Sequence, residues 1–316
     1  MNKQFNLSFR NPLVIIIFEG NFALNFEIRP TEEPMEQRNN VTEFVLLGLT
    51  QSVQGQRILF VVFLLIYLVT MMGNLLIILT VVFSPTLHVP MYFFLGYLSF
   101  LDGVYSTTVT PNMIIDLQCE KKTISFQACM VQLFIGHLFS GADMILLAVM
   151  AYDHYVAICK LLHYLTIMIK QLCILLLLLT LVGGFLHGVL HPLFVYNLRY
   201  CGPNVIDHFI CDMDPLIKLA CSDTYLTVLT VLANDGAISL VIFTLLLISY
   251  GVILRSLKNM SQEGRHKALS TCGCHITAVL LFFVPSAFTT WDPPCTLPID
   301  KYWLCFIPLS PLCWTL

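Results

Sequence analysis

The chain has 316 residues, of which 57% are hydrophobic and only 11% are charged, and its formal net charge is −3 at pH 7. A soluble domain of this size carries about 25% charged residues, so the composition argues against one large water-soluble core and favours several membrane spans. The small net charge and the lack of a long block of like charges in the sequence argue against a nucleic-acid partner.

The first residues of the chain differ from the rest. The apolar run 13–18 is too short to span a bilayer and is followed at once by Glu19; it also lacks the long apolar core of a secretory signal. We interpret residues 1–34 as an atypical, disordered extension, and the sequence leaves open its presence in the cell. Residues 35–58 are expected to form an extracellular N-terminus, in which Asn40 begins an N-glycosylation sequon.

Apolar stretches of spanning length, separated by short polar breaks, make up the remainder. Each of the first six has close to the ~20 residues that a bilayer requires. The seventh would reach only ~24 Å as a helix, and Pro308 and Pro311 would kink it. We therefore predict an all-α membrane protein, a seven-transmembrane helix bundle in residues 59–316 with a truncated seventh helix. The predicted spans are 59–83, 91–109, 129–151, 173–195, 227–254, 268–288 and 301–316.

Positive charges predict the orientation of this bundle. Cytoplasmic loops carry an excess of Lys and Arg, which favours an extracellular N-terminus. The basic residues on the predicted inner side are Lys160, Lys170, Arg255, Lys258, Arg265 and Lys267. The loop 196–226 then lies outside, and its cysteines Cys201, Cys211 and Cys221 indicate an oxidising compartment.

Several short motifs occur in order along the chain after residue 34. They are Gly73-Asn74, PMYFFL (90–95), LSFLD (98–102), MAYDHYVAIC (150–159), SYGVIL (249–254), KALSTC (267–272) and PIDK (298–301). As a set they resemble olfactory receptors, a branch of the rhodopsin-like (class A) G-protein-coupled receptors. The resemblance implies a plasma-membrane receptor, not an enzyme, that binds small, mostly apolar odorants. It also implies signalling through a heterotrimeric G protein of the olfactory stimulatory type, which raises cyclic AMP.

The resemblance further implies two disulfides. One would join Cys129 to Cys211 and hold the loop over the mouth of the bundle, and the other would join Cys201 to Cys221. Spacing alone leaves all three pairings of these four cysteines open.

Two acidic residues lie inside predicted spans. Asp102 or Asp143 would cost several kcal/mol if it faced lipid, so both are expected to face the bundle interior, with Asn74 as a hydrogen-bond partner. In the family this region forms a polar pocket, so a shared Na⁺ or a shared proton is one interpretation. A structural polar cluster without an ion is the other.

By alignment to the family, the odorant pocket is expected in the outer half of spans three, five and six. Small residues would leave volume, an aromatic ring would form an apolar wall, and a polar side chain would place one hydrogen bond. The candidates are Gly136, His137, Ser140, Asn234, Phe283 and Thr290. Ordinary helix packing is the alternative for each of them.

The coupling surface for the G protein is expected at the inner ends of spans three, five and six. Its candidates are Asp153, His154, Tyr155, Tyr250 and Lys267. His154 stands where the family usually has Arg. Arginine is always charged and carries five donors, whereas histidine is largely neutral near pH 7, so weakened coupling is expected. A solvated histidine without effect is the alternative.

Other departures from the family support a competing interpretation. Leu181 replaces a usual Trp, and Ser310 and Trp314 replace the Asn and Tyr of the usual seventh-span motif. A receptor-fold product with little or no signalling, retained in the endoplasmic reticulum, is therefore the alternative function. A transporter would predict paired, interrupted spans, which the sequence lacks. The segment 272–275 contains two Cys and one His but lacks further ligands nearby, so no metal site is predicted.

Overall fold

The computed structural model describes residues 41–50, 52–84, 89–119, 122–201, 203–258 and 262–291. The predictions for residues 1–34, for Asn40 and for the span 301–316 lie outside these ranges. The side chains of Lys267 and Thr290 also lie outside the description, although the backbone of both is helical.

Six long helices dominate the described part of the chain. Each contains one of the first six predicted spans and extends beyond it at one end or both. They are α1 (Val53–Phe83), α2 (Pro90–Asp116), α3 (Phe126–Cys159), α4 (Lys170–Tyr196), α5 (Tyr225–Leu257) and α6 (Gln262–Trp291). Four of them, α1, α3, α4 and α5, are long and apolar enough to cross a membrane. The predicted helix bundle is confirmed.

Local sequence explains where several of these helices begin. The side chain of Ser52 accepts a hydrogen bond from the Gly55 amide at the start of α1. Ser125 does the same for α3 with the Ala128 amide, at 3.2 Å. Helix α2 begins with Pro90, whose missing amide hydrogen costs nothing in the first turn. Serine caps satisfy amides that have no partner within the helix.

Helix α3 is the centre of the bundle, and its closest neighbour is α4. A Cβ atom at Gly184 would lie 2.6 Å from the carbonyl oxygen of Leu138, and one at Gly188 would lie 2.9 Å from the Leu138 Cα. The two glycines are four residues apart, so they lie on the same face of α4. Small residues at this spacing let two membrane helices approach until their backbones touch.

The opposite face of α4 is covered with exposed leucines, including Leu175, Leu179 and Leu186. Helices α1 and α5 carry similar exposed apolar faces. In water such surfaces would be unfavourable, but in a bilayer they are the natural contact with lipid.

A small three-stranded sheet, which the sequence did not predict, covers one end of the bundle. Strand β1 (Glu43–Leu46) pairs antiparallel with β2 (Thr123–Ser125) and parallel with β3 (Val205–Ile206). Phe44 and Ile206 are fully buried beneath it. We call this the outer end, because the predicted orientation places the cysteine-rich loop outside.

The contact between α3 and α4 generates a prediction about stability. The substitution Gly184→Ala should destabilise the protein by about 1–3 kcal/mol. The added Cβ would clash with backbone atoms of α3, and neither helix can move away without losing other packing contacts. Thermal unfolding of the purified receptor and cell-surface abundance measure this effect.

The control is Gly251→Ala on α5, where a Cβ would meet nothing within 4 Å. Equal unfolding midpoints for the two variants would show that the close approach of α3 and α4 does not limit stability.

Candidate functional site

The structure brings two of the predicted ligand-binding residues together. His137 of α3 and Asn234 of α5 both approach His187 of α4: the His137 and His187 ring centroids are 5.7 Å apart, and Asn234 Nδ2 lies 3.4 Å from His187 Nδ1. All three are in the outer halves of their helices. Gly136 precedes His137 in the sequence, and a Cβ there would meet nothing within 4 Å.

The remaining candidates are placed differently. Ser140 is partly buried on α3, one turn inward of His137. Phe283 of α6 is buried in a separate apolar cluster with Met144, and its ring centroid is 6.1 Å from that of Phe243. Phe283 therefore packs against the middle of α3 and α5.

We call the group formed by His137, His187, His191, Asn234 and Asp235 the outer polar cluster. Sequence reasoning missed three of its members, namely His187, His191 and Asp235. The His191 ring stacks on His137 with centroids 3.6 Å apart and planes at 6°. Its Nε2 lies 3.1 Å from Asp235 Oδ1. His187 and His191 are four residues apart on one helix, a spacing that places them on the same face and that could have revealed them.

A cavity lined by aromatic and aliphatic side chains lies elsewhere in the fold, between α1 and α2. Its lining includes Phe63, Tyr67, Tyr105, Met113 and Phe209. None of the five predicted ligand-binding residues whose side chains the structure describes belongs to this lining.

The predicted polar core is buried at the centre of the bundle. Asn74 of α1 is 2% exposed, Asp102 of α2 is 6% exposed and Asp143 of α3 is 8% exposed. The two carboxyl groups are close enough to interact electrostatically. Within the described part of the chain, hydrogen-bond partners are missing for both side-chain polar atoms of Asn74, for Asp102 Oδ2 and for Asp143 Oδ1. Such atoms are costly to bury without a partner.

At the inner end of α3, the carboxylate of Asp153 is almost completely buried. It accepts a hydrogen bond of 2.9 Å from the hydroxyl of Tyr164, which lies in the short helix after α3. Burial, together with the nearby Asp153 carboxylate, raises the pKa of Tyr164. The hydroxyl therefore keeps its proton and remains a donor at neutral pH.

His154 is buried, so the alternative of a solvated histidine is wrong, and its effect on coupling stays a prediction. Its ring is 2% exposed and packs edge-on against His275 of α6, with centroids 5.0 Å apart. His275 in turn is hydrogen-bonded through Nδ1 to the hydroxyl of Tyr250 on α5. Polar side chains from α3, α5 and α6 thus meet at the inner end, and Tyr155 packs beside them half-buried. His275 is not among the predicted coupling residues.

Two disulfides hold the outer loop. Cys129, at the start of α3, is bonded to Cys211, and Cys201 is bonded to Cys221, the pairs that the resemblance implies. The amide of Cys211 also donates to Gln132 Oε1 at 3.1 Å. These contacts hold the loop against the outer end of α3.

The arrangement of the helices defines the class of protein. The fold is similar to the crystal structure of squid rhodopsin, with a TM-score of 0.66 and 17% sequence identity, over 84% of this chain and 78% of that chain. The protein therefore has the fold of the seven-helix, rhodopsin-like receptors.

Sequence comparison narrows the class to a family. The olfactory receptor family model matches residues 63–291. Human (Homo sapiens) Olfactory receptor 4A5 is 58% identical over 287 residues, which are 89% of this chain and 91% of that protein. Human Olfactory receptor 4A8 is 60% identical over 268 residues, 85% of each chain. Mouse (Mus musculus) Olfactory receptor 4B13 is 48% identical over 287 residues, 89% of this chain and 94% of that protein.

The chain belongs to the olfactory receptor family. It is accordingly a multi-pass protein of the plasma membrane, and it acts as a signalling receptor rather than as an enzyme.

The contact between Tyr164 and Asp153 generates a prediction. The substitution Tyr164→Phe removes the hydroxyl and leaves a buried carboxylate without its donor, which should cost about 1–3 kcal/mol. The thermal unfolding midpoint of the purified receptor should fall. Tyr225→Phe is the matched control, because Tyr225 is 69% exposed. A midpoint for Tyr164→Phe that equals the control would mean that this hydrogen bond does not stabilise the inner end.

Proposed function

We propose that this receptor binds a small, mostly apolar odorant in the outer half of the bundle and signals through a G protein of the olfactory stimulatory type, raising cyclic AMP. The observation that carries the proposal is the convergence of His137 and Asn234, from different helices, on His187. A few polar groups among apolar helices is the composition expected of a site for a small ligand.

The same helices connect this site to the inner end. Helix α3 carries His137 in its outer half and His154 near its inner end, and α5 carries Asn234 and Tyr250 in the same way. A ligand that binds one arrangement of α3 and α5 more tightly shifts the population toward it. The Tyr250–His275 hydrogen bond and the His154–His275 packing are the contacts that such a shift would alter. A G protein would recognise the altered inner surface, in which Asp153, Tyr155 and Lys267 are further candidates.

The buried acids fit a cation or a shared proton. Asp102, Asp143 and Asn74 contain buried polar atoms without partners in the described part of the chain. A bound Na⁺ would neutralise part of the paired carboxylate charge, and these three residues would hold it.

The alternative function remains a receptor fold with little or no signalling, retained in the endoplasmic reticulum. The observation that favours it is His154, which occupies the place of a permanently charged, five-donor arginine and is buried against His275.

The ligand site can be tested in cells that express the receptor with an olfactory stimulatory G protein. An odorant panel is screened by cyclic AMP accumulation, with surface labelling of an epitope-tagged chain. For an active odorant, Asn234→Ala should raise the half-maximal concentration about 2- to 10-fold, the equivalent of one hydrogen bond. Asn197→Ala is the control, since Asn197 is exposed at the end of α4.

A receptor that reaches the surface but raises no cyclic AMP with any odorant, in the native and in the His154→Arg form, would overturn the proposed function. An unchanged odorant response in Asn234→Ala would instead overturn only the location of the ligand site.

The departure at His154 generates a separate prediction. His154→Arg should increase coupling, because the arginine is charged at every physiological pH and provides additional donors. The expected gain in odorant-evoked cyclic AMP, at matched surface abundance, is about fivefold or more, the usual lower range of coupling energies. His163→Arg is the control, because His163 is exposed and lies outside the inner polar contacts. Equal responses in the two variants would show that His154 does not limit signalling.

A further inference from the structure

The outer polar cluster contains more potential metal ligands than an odorant contact needs. His137 of α3 and His187 and His191 of α4 each offer a ring nitrogen, and these atoms all lie within 4.8 Å of one another. The side chains of His187 and His191 are 5% and 1% exposed. A buried polar ring is costly unless its nitrogens have partners, and one ion shared by the three imidazoles would be a partner for one nitrogen of each.

The fourth potential metal ligand in the cluster is Asp235 of α5. Its carboxylate oxygens lie 3.1 and 3.3 Å from His191 Nε2, and Oδ1 lies 3.9 Å from His187 Nδ1. Two ligand atoms of one tetrahedral ion, bound at ~2.0–2.1 Å each, lie ~3.3–3.4 Å apart. The separation between His191 and Asp235 therefore suits a shared ion. The ring of His137 is stacked parallel to that of His191, so His137 would turn out of this stack to bring a nitrogen to the same point.

The hydrogen bonds of His191 indicate a positive charge at this point. His191 Nδ1 lies 2.9 Å from the carbonyl oxygen of His187. A carbonyl oxygen can only accept, so Nδ1 carries the hydrogen. In a neutral ring Nε2 then has a lone pair, yet it faces the carboxylate of Asp235, which also only accepts. A positive charge between Nε2 and the carboxylate, either a proton on the ring or a metal ion, resolves the conflict. A histidine that donates its other nitrogen to a backbone carbonyl is also the usual arrangement around a bound metal.

We propose that His137, His187, His191 and Asp235 form a binding site for a divalent transition-metal ion, Zn²⁺ or Cu²⁺, at the junction of α3, α4 and α5. Three imidazole nitrogens with one carboxylate suit these ions. Mg²⁺ and Ca²⁺ prefer sets of oxygen ligands, so they should not bind here. Asn234, 3.2 Å from Asp235 Oδ1, orients the carboxylate.

A bound metal ion would also affect the arrangement of the helices. Asp235 is on α5, whereas the three histidines are on α3 and α4. A bound ion therefore ties α5 to the α3–α4 pair and stabilises one spacing of these helices. Metal occupancy would thus change the population of receptor conformations, with or without an odorant.

The test measures metal binding directly on the purified full chain in lipid nanodiscs, so its outcome does not depend on signalling. After treatment with EDTA, Zn²⁺ is added and binding is followed by competition with a chromogenic chelator. One equivalent of Zn²⁺ should bind and raise the thermal unfolding midpoint, and Mg²⁺ should do neither. His137→Gln and Asp235→Asn should each weaken Zn²⁺ binding about 10- to 100-fold.

The matched control is His163→Gln, at an exposed histidine outside the cluster, which should bind Zn²⁺ as the native chain does. His137 is the preferred ligand to change, since its side chain is 21% exposed and its replacement disturbs packing least. Unfolding midpoints in EDTA confirm that each variant is folded.

Replacement of Zn²⁺ by Co²⁺ separates this site from the free cysteines of the chain. The proposed ligands should give the absorption of tetrahedral cobalt without a thiolate charge-transfer band. Zn²⁺ affinity that survives both His137→Gln and Asp235→Asn would overturn the proposal, and so would a thiolate band. Absence of Zn²⁺ and Cu²⁺ binding in the native chain would also overturn it, and would leave a protonated His191 as the partner of Asp235.

Discussion

The close approach of α3 and α4 is the constraint on which the rest of the bundle depends. In lipid, helices gain little from burying leucine, so their association requires van der Waals contact at short range. Gly184 and Gly188 allow this contact with the backbone at Leu138. The same approach places His187 against Gly141 of α3, where a Cβ would lie 2.8 Å from the imidazole. The glycines that let the two helices touch therefore also bring His187 and His191 of α4 close to His137.

The helices could be predicted from the sequence, because a membrane-spanning helix needs about 20 consecutive, mostly apolar residues, and such a run can be recognised without knowledge of the fold. Strands of four, three and two residues have no comparable signal, since each depends on pairing with distant segments. The outer polar cluster shows the same limit. His137 and Asn234 were found through the resemblance, but Asp235 acquires its role only when α5 packs beside α4. Phe283 shows a related limit, because alignment to a family cannot tell a residue that lines a ligand cavity from one that packs in the core, and its role in ligand binding stays a prediction.

The inner end shows how one substitution alters its surroundings. A histidine at position 154 is short enough to lie against His275 and to be almost fully buried. An arginine there would extend its charge beyond this contact and would need an acceptor. The native chain instead joins α3 and α6 through two aromatic rings, and α6 and α5 through the Tyr250–His275 hydrogen bond. Neither of these two contacts is an ion pair, so added salt should weaken them less than it would weaken an exposed salt bridge.

The strand order of the outer sheet has a consequence for biosynthesis. Strand β1 is the middle strand, pairing on one side with β2 and on the other with β3. The ribosome synthesises β1 before either neighbouring strand. Val45 can pair with Val205 only after the four membrane helices between them have been synthesised and inserted into the bilayer. Contacts between such distant residues form slowly. During that interval β1 lacks its neighbour on the β3 side, and an unpaired strand edge is open to other chains and to chaperones.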